Sequence, residues 1–163
     1  MAEVEQALRI YQQIVIKAPW SSSGRGIRFV DKELNEYQRR WIQNVIASQG
    51  SVVIESLCHK VKDFGMEFES DGQGHVRCLG LSIFHTQNGA YIGNILASEE
   101  EKQEMINRYI PEELLTSVKE KICAYLGPLY RDQYAGPFGV DMMVVKGEGN
   151  HRFLLNPCVE INL

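Results

Sequence analysis

The sequence predicts an α+β protein whose strands pair mostly antiparallel. Three observations carry that reading. Short β-branched or alternating apolar segments are joined by turns rich in Gly, Asn and Ser, as in hairpins. Stretches with apolar residues at helical spacing separate these strand groups. The composition, 44% hydrophobic and 23% charged over 163 residues, is that of an ordinary globular chain, enough for one domain or two tightly packed subdomains.

Charge and cysteine usage exclude several classes. A formal net charge of −4 without a basic run disfavours a phosphate-backbone surface, so nucleic acid is not an expected partner. No apolar run approaches a membrane span and the opening MAEVEQALRI is amphipathic rather than signal-like, so a membrane is not expected either. Cys58, Cys78, Cys123 and Cys158 are scattered without a Cys-x-x-Cys, and His59, His75, His85 and His151 are equally dispersed. Neither a zinc site nor a disulfide framework is supported. A reducing cytoplasm fits best, with the cysteines packing as small hydrophobes.

Val4, Leu8 and Tyr11 predict a short helix over residues 3–12. The stretch IVIKAPWSSSGRGIRFV, residues 14–30, then organises the chain. Ile14, Val15 and Ile16 read as a strand ended by Lys17, and Ile27 to Val30 as its partner. The loop Ser21, Ser22, Ser23, Gly24, Arg25, Gly26 leaves backbone N–H groups accessible. With a lysine at its base, such a hairpin can fold over polyphosphate, the amides meeting oxygens and the ammonium supplying a point charge. A solvated turn with an ordinary surface lysine reads the same residues equally well. No Gly-Lys-Ser/Thr leads into a helix, so it is not a Walker A loop.

Asp31 is the expected N-cap of the next helix, with Glu33 in its first turn, Leu34, Tyr37, Trp41 and Val45 as its apolar stripe, and Gly50 as its C-terminal glycine. Val52 to Ile54 read as a buried strand, which Glu55 to Cys58 leave. Phe64, Met66 and Phe68 alternate with Gly65 and Glu67. Turn chemistry at Asp71–Gly74, a strand from Val76 to Phe84, a turn at Gln87-Asn88-Gly89 and a strand from Tyr91 to Leu96 complete an antiparallel meander. Glu67, His85, Tyr91 and Asn94 could face a site, although a single polar strand residue is usually solvated. Ser98 with Glu99, Glu100 and Glu101 opens a helix, its acidic run read as a solvated first turn. Pro111 begins another at N1, with Leu115, Val118, Ile122, Tyr125 and Leu126 facing inward.

The last two strands carry a second constellation. In GPFGVDMMVV, alternation sets Asp141 on one face with Met143 and Val145; if that face is buried, a carboxylate among apolar neighbours requires a partner, and a cation is one solution. Gly147, Gly149 and Asn150 make the turn. On the return, Glu160 and Asn162 point the same way, their Cα atoms roughly 6.6 Å apart. With antiparallel pairing, Asp141 can lie across from them. Two carboxylates and an amide are hard oxygen ligands suited to Mg²⁺ (or Mn²⁺).

In this order, VIKAPWSSSGRGI, Glu55-Ser56-Leu57-Cys58 and Asp141 with Glu160-x-Asn162 resemble the lid, hinge and metal-binding hairpin of ATP-grasp enzymes. The resemblance implies two α+β subdomains around a nucleotide cleft, residues 1–57 forming the lid subdomain and 58–163 the C-terminal one. It implies that Lys17 binds the α/β-phosphates of ATP and that residues 21–26 close over the β/γ-phosphates. Glu55 would orient near the adenine amino group, with backbone groups of Ser56, Leu57 and Cys58 reading the base edge. Asp63 matches an acidic residue bonded to ribose hydroxyls, and Asp141, Glu160 and Asn162 match the Mg²⁺ ligands. No residue is assigned as catalytic.

The implied activity is that of an ATP-dependent carboxylate–amine or carboxylate–thiol ligase working through an acyl phosphate. A nucleotide-binding module or truncated fragment without ligase activity of its own is the alternative, and a purely structural α+β domain that ignores nucleotide is a third reading. The carboxylate substrate and its nucleophile are left unspecified, and a homodimer is compatible. The chain departs from the pattern in two respects: Ser56 stands where the family often has proline or lysine, and only sixteen residues precede Lys17, where the family carries an α/β domain. The expectation is therefore a piece of a longer enzyme.

Overall fold

In the computed structural model Ile14, Val15 and Ile16 are all buried, which a strand achieves only when both its faces are covered. That strand, β1 (Gln13–Lys17), lies between β2 (Ile27–Asp31) and β3 (Val53–Ser56), both antiparallel to it. Two helices, α1 (Ala2–Tyr11) and α2 (Glu36–Gln49), complete this unit. Val4 and Leu8 of α1 meet Ile14, Ile16, Val30, Leu34 and Ile42 in one core. The unit comprises Met1–Cys58 together with Ala90, and a second comprises His59–Gln87 and Tyr91–Leu163. The structure describes residues 1–21, 25–87, 90–147, 149 and 151–163. Ser22, Ser23 and Gly24 of the phosphate-loop reading, and Asn88, Gly89 and Asn150 of the turns, lie outside the described residues.

Helix α2 starts later than expected. Asp31 is still paired in the ladder opposite Gln13, so it cannot cap a helix, and Lys32 turns the chain at φ 61°. Asn35 is the cap: its side chain accepts from the Gln38 N–H at 2.8 Å, and the Gln38 side chain accepts from the Asn35 N–H at 3.0 Å. Gly50 ends the helix in the left-handed conformation, as its position suggested. Ile42 and Val45 are its buried residues, whereas Tyr37 stays exposed. The Arg28 guanidinium lies over the Trp41 ring at 4.6 Å and the Tyr37 ring at 5.8 Å, so a cation rather than the core takes the Tyr37 face.

The second unit is built on a four-stranded antiparallel sheet in the order β5–β4–β8–β9, with β4 (Lys60–Asp71), β5 (Val76–Ser82), β8 (Ala135–Lys146) and β9 (Phe153–Asn162). Strand periodicity sorts its two faces. Phe64, Met66 and Phe68 of β4 and Phe138, Val140, Met142 and Val144 of β8 join Ile106, Ile110, Leu115 and Leu126 in one core. The last four belong to α3 (Glu99–Asn107), α4 (Glu112–Tyr130) and their connection. The other face carries Asp63, Gly65 and Glu67 of β4 and Gly139, Asp141 and Met143 of β8. Where α4 crosses the start of β5, a Cβ on Gly127 would stand 2.5 Å from the Gly74 carbonyl oxygen, so only glycine allows that approach.

Several expectations are corrected here. The strand from Val76 ends at Ser82 because Ile83 turns fully into the core; β6 (Phe84–Gln87) and β7 (Ala90–Asn94) then form a separate two-stranded sheet, not an extension of a meander. Tyr125 is exposed, since it precedes Leu126 by one residue and sits about 100° round the helix from it. Pro111 is the N-cap of α4 rather than its first turn. The acidic run opening α3 is not simply solvated: Glu99 accepts from the Leu81 N–H at 2.9 Å and pairs with Lys102, which donates to the Leu81 carbonyl at 2.6 Å. Cys78 and Cys123 pack against the core as small hydrophobes do, but Cys158 is exposed.

The β4–β5 turn is held by Asp71, whose carboxylate accepts from the backbone N–H groups of Gln73 and His75 at 2.7 and 3.0 Å. The His75 N–H first, then that of Gln73, draws its pKa down to about 2. A carboxylate with a depressed folded pKa stabilises the fold above its unfolded pKa, and the contribution is lost as pH falls through the folded value. Asp71→Asn keeps an acceptor but loses the charge. It is expected to be less stable than the parent at neutral pH, with the difference shrinking between the ordinary carboxylate range and pH 2; urea melts across that range measure it. A gap that stays constant with pH would remove the charge from the account.

Candidate nucleotide and metal site

Each unit contributes its own polar cluster. In the first, β1 pairs with β3 through Val15↔Glu55 and Lys17↔Val53, so Lys17 and Glu55 are diagonal neighbours on one face. The Lys17 ammonium donates to Glu55 Oε1 at 2.8 Å and stands equally close to Oε2, with the lysine side chain only 20% exposed. Glu55 and Ser56 thus remain inside β3 instead of leaving the strand after Ile54, because the ladder with β1 runs on to Ile14↔Ser56. The Leu57 N–H is engaged by the Gln13 carbonyl at 3.0 Å.

The loop after Lys17 is closed at its neck by a bond from the Ala18 N–H to the Gly26 carbonyl, 2.8 Å. A Cβ on Gly26 would lie 2.3 Å from the Ser21 side chain, which explains the glycine. The Gln49 side chain accepts from the Trp20 N–H at 2.9 Å and donates to its carbonyl at 3.1 Å, tying this limb to the end of α2. Ser21 and Arg25 are exposed.

In the second unit the β8–β9 pairing sets Asp141 directly opposite Glu160, with Asn162 opposite Gly139. The Asn162 amide donates to Asp141 Oδ2 at 3.3 Å. Asp141 is half-buried, while Glu160 and Asn162 are exposed. Glu67 joins them from β4, and Gly139 makes the room: a Cβ there would meet Glu67 Oε2 at 3.2 Å. Burial, opposed by the Asn162 bond, raises the Asp141 pKa, and the charges of Glu160, Glu67 and Asp63 add to the rise. Those three charges therefore make ionisation of Asp141 costlier.

Asp63 stands on the same face, its Oδ2 accepting from Lys60 Nζ and from Thr86 Oγ1, both at 2.6 Å. Sequence reading did not single out Lys60 or Thr86. Of Glu67, His85, Tyr91 and Asn94, all exposed, Glu67 lies on the acidic face of β4.

The residues fit Mg²⁺ by the chemistry of their donors. Among the described residues no three His, Cys, Asp or Glu side chains are grouped to cage a metal alone. Mg²⁺ does not need such a cage: it takes one or two carboxylates and fills its octahedron with water and phosphate oxygens.

An antiparallel unit with a glycine- and serine-bearing hairpin, followed by a helix-backed sheet with an acidic outer face, is the architecture of the ATP-grasp fold, and this chain has that fold. It is similar to N5-carboxyaminoimidazole synthetase from Staphylococcus aureus in complex with ADP: TM-score 0.62 and 13% identity over 99% of this chain and 37% of that one. D-alanyl-alanine synthetase A from Vibrio cholerae matches at TM-score 0.60 and 15% identity, over 99% of this chain and 44% of that one. The biotin carboxylase domain of Hydrogenobacter thermophilus 2-oxoglutarate carboxylase, a dimer in complex with MgADP, ADP and bicarbonate, matches at 0.60 and 16%, over 98% and 34%. The chain thus spans less than half the length of these proteins. No protein-family model and no curated protein matches it.

Proposed function

We propose that this chain is the ATP- and Mg²⁺-binding part of an ATP-grasp ligase that joins a carboxylate to an amine or thiol through an acyl phosphate. The observation that carries the reading is Asp141, half-buried, opposite Glu160 and bonded to Asn162, on a face whose charge calls for a cation. Bound there, the ion would supply positive charge against phosphate oxygens as they transfer. Asp141 and Glu160 would hold it, and Asn162 would turn its amide oxygen toward it. Lys17, kept in place by Glu55, would meet the α/β-phosphates. Exposed Ser21 and Arg25, with residues 22–24 and Gly26, would meet the β/γ-phosphates. Glu55 would accept from the adenine amino group. Ser56 and Cys58 are better placed than Leu57 to read the base edge with their backbone, because the Leu57 N–H is already bonded. Asp63 would accept from ribose.

A nucleotide-binding module without ligase activity shares every one of these residues and differs only in the absence of turnover. Titration calorimetry of ATP in Mg²⁺ and in EDTA tests the common part. Binding that needs the metal is expected, and the reading fails if neither condition gives binding or if EDTA changes nothing. ADP release over a panel of carboxylates with amines and thiols then separates ligase from module.

A further inference from the structure

A β-bulge at the start of β4 aims Lys60 where its place in the sequence would not. In an unbroken strand, residues three apart point to opposite faces. Here β4 pairs with β8 through Lys60↔Val145 and then Lys62↔Val144 and Asp63↔Met143, so Val61 is an extra residue in the ladder. Val145 and Met143 lie on one face of β8; hence Lys60 and Asp63 share a face as well, the one that carries Asp141. There the Lys60 ammonium donates to Asp63 Oδ2 at 2.6 Å and to Thr86 Oγ1 at 2.8 Å, while the Thr86 hydroxyl donates to the same Oδ2 at 2.6 Å. Asp63 is largely covered, its side chain 15% exposed, and Lys60 is 42% exposed.

The trio leaves a specific pair of groups over. Oδ2 already takes two donors, and among the described residues Oδ1 takes none. An ammonium has three N–H groups, of which Lys60 uses two here. What remains is one acceptor beside one donor, in an ion pair whose charges cancel at contact distance. A lone lysine would attract phosphate. A compensated pair suits a neutral group that donates and accepts at once, and two adjacent hydroxyls fit it best.

We propose that Lys60, aimed by the Val61 bulge and held by Thr86, binds a sugar hydroxyl alongside Asp63 and makes the nucleotide site select ribose over deoxyribose. This rests on the nucleotide reading above and adds to it the residue that discriminates. Calorimetry with Mg-ATP and Mg-2′-deoxy-ATP on the parent, Lys60→Met and Lys60→Arg tests it. The parent is expected to favour ATP by about tenfold, the worth of one hydrogen bond. Lys60→Met should bind ATP only as well as the parent binds the deoxy form, with deoxy-ATP affinity kept, and Lys60→Arg should retain most of the preference. Thr86→Val, which loosens Lys60 without removing it, should lower the preference and serves in place of Lys60→Met if that variant does not fold. Equal weakening of both nucleotides by Lys60→Met would make Lys60 a phosphate contact and overturn the proposal, as would a parent that binds both equally. A parent that binds neither nucleotide overturns the ATP reading itself, an outcome distinct from both.

Discussion

Glu160→Gln is expected to lose most of the thermal stabilisation that Mg-ATP confers on the parent. A ligand at a hundred times its dissociation constant stabilises by about 2.7 kcal/mol, which for a chain of this length raises Tm by ~5–10 °C. The variant keeps the shape of the side chain and one acceptor but removes one of the two charges that would hold the ion opposite Asp141. Without nucleotide the order reverses. The Asp141 pKa is raised by burial and, behind that, by the Glu160 charge. Removing that charge relieves repulsion, so at neutral pH the metal-free variant should melt at or above the parent. Melts of both proteins, with and without Mg-ATP at equal concentrations, decide the matter. A variant that gains as much as the parent is not missing a ligand, and the assignment of this hairpin falls.

The second large effect is expected from Lys17→Ala. A charge-assisted contact to phosphate contributes about 1.5–3 kcal/mol, so the affinity for Mg-ATP should fall by roughly ten- to a hundredfold. The fold should suffer much less. Lys17 pairs with Glu55, whose side chain is 40% exposed, and water can take over the carboxylate when the lysine is gone. Calorimetry for affinity and urea melts for stability separate the two effects. Unchanged affinity removes Lys17 from the site; a stability loss as large as the affinity loss makes the Lys17–Glu55 pair structural instead.

The sequence alone determined whatever depends on local periodicity. The β-branched run Ile14–Ile16 specified a strand, and its complete burial in the centre of a sheet is what such a run requires. Gly50 marked a helix end because only a residue without Cβ adopts φ 85° at no cost. The strand period of two put Asp141 on the face away from Met142 and Val144, and made Glu160 and Asn162 point the same way. Which residues of the acidic hairpin share a face was therefore legible; that Asp141 stands opposite Glu160, and Gly139 opposite Asn162, came from the register.

Tertiary structure decided the rest wherever a neighbour in space outweighed a neighbour in sequence. Asp31 looks like a cap but is held by its ladder partner Gln13, and Asn35 takes its place. Tyr37 belongs to an apolar stripe by spacing, yet Arg28, brought over it by the adjoining strand, leaves it outside the core. Glu67 could not be told from an ordinary solvated strand residue until Gly139 was seen to leave space for its carboxylate beside Asp141. Lys60 shows the reason most plainly. A single extra residue, Val61, inverts the side-chain parity of everything before it relative to the sheet, and nothing in the run of letters marks where a ladder slips. Register is a property of two strands together, so it is fixed only when both are in place.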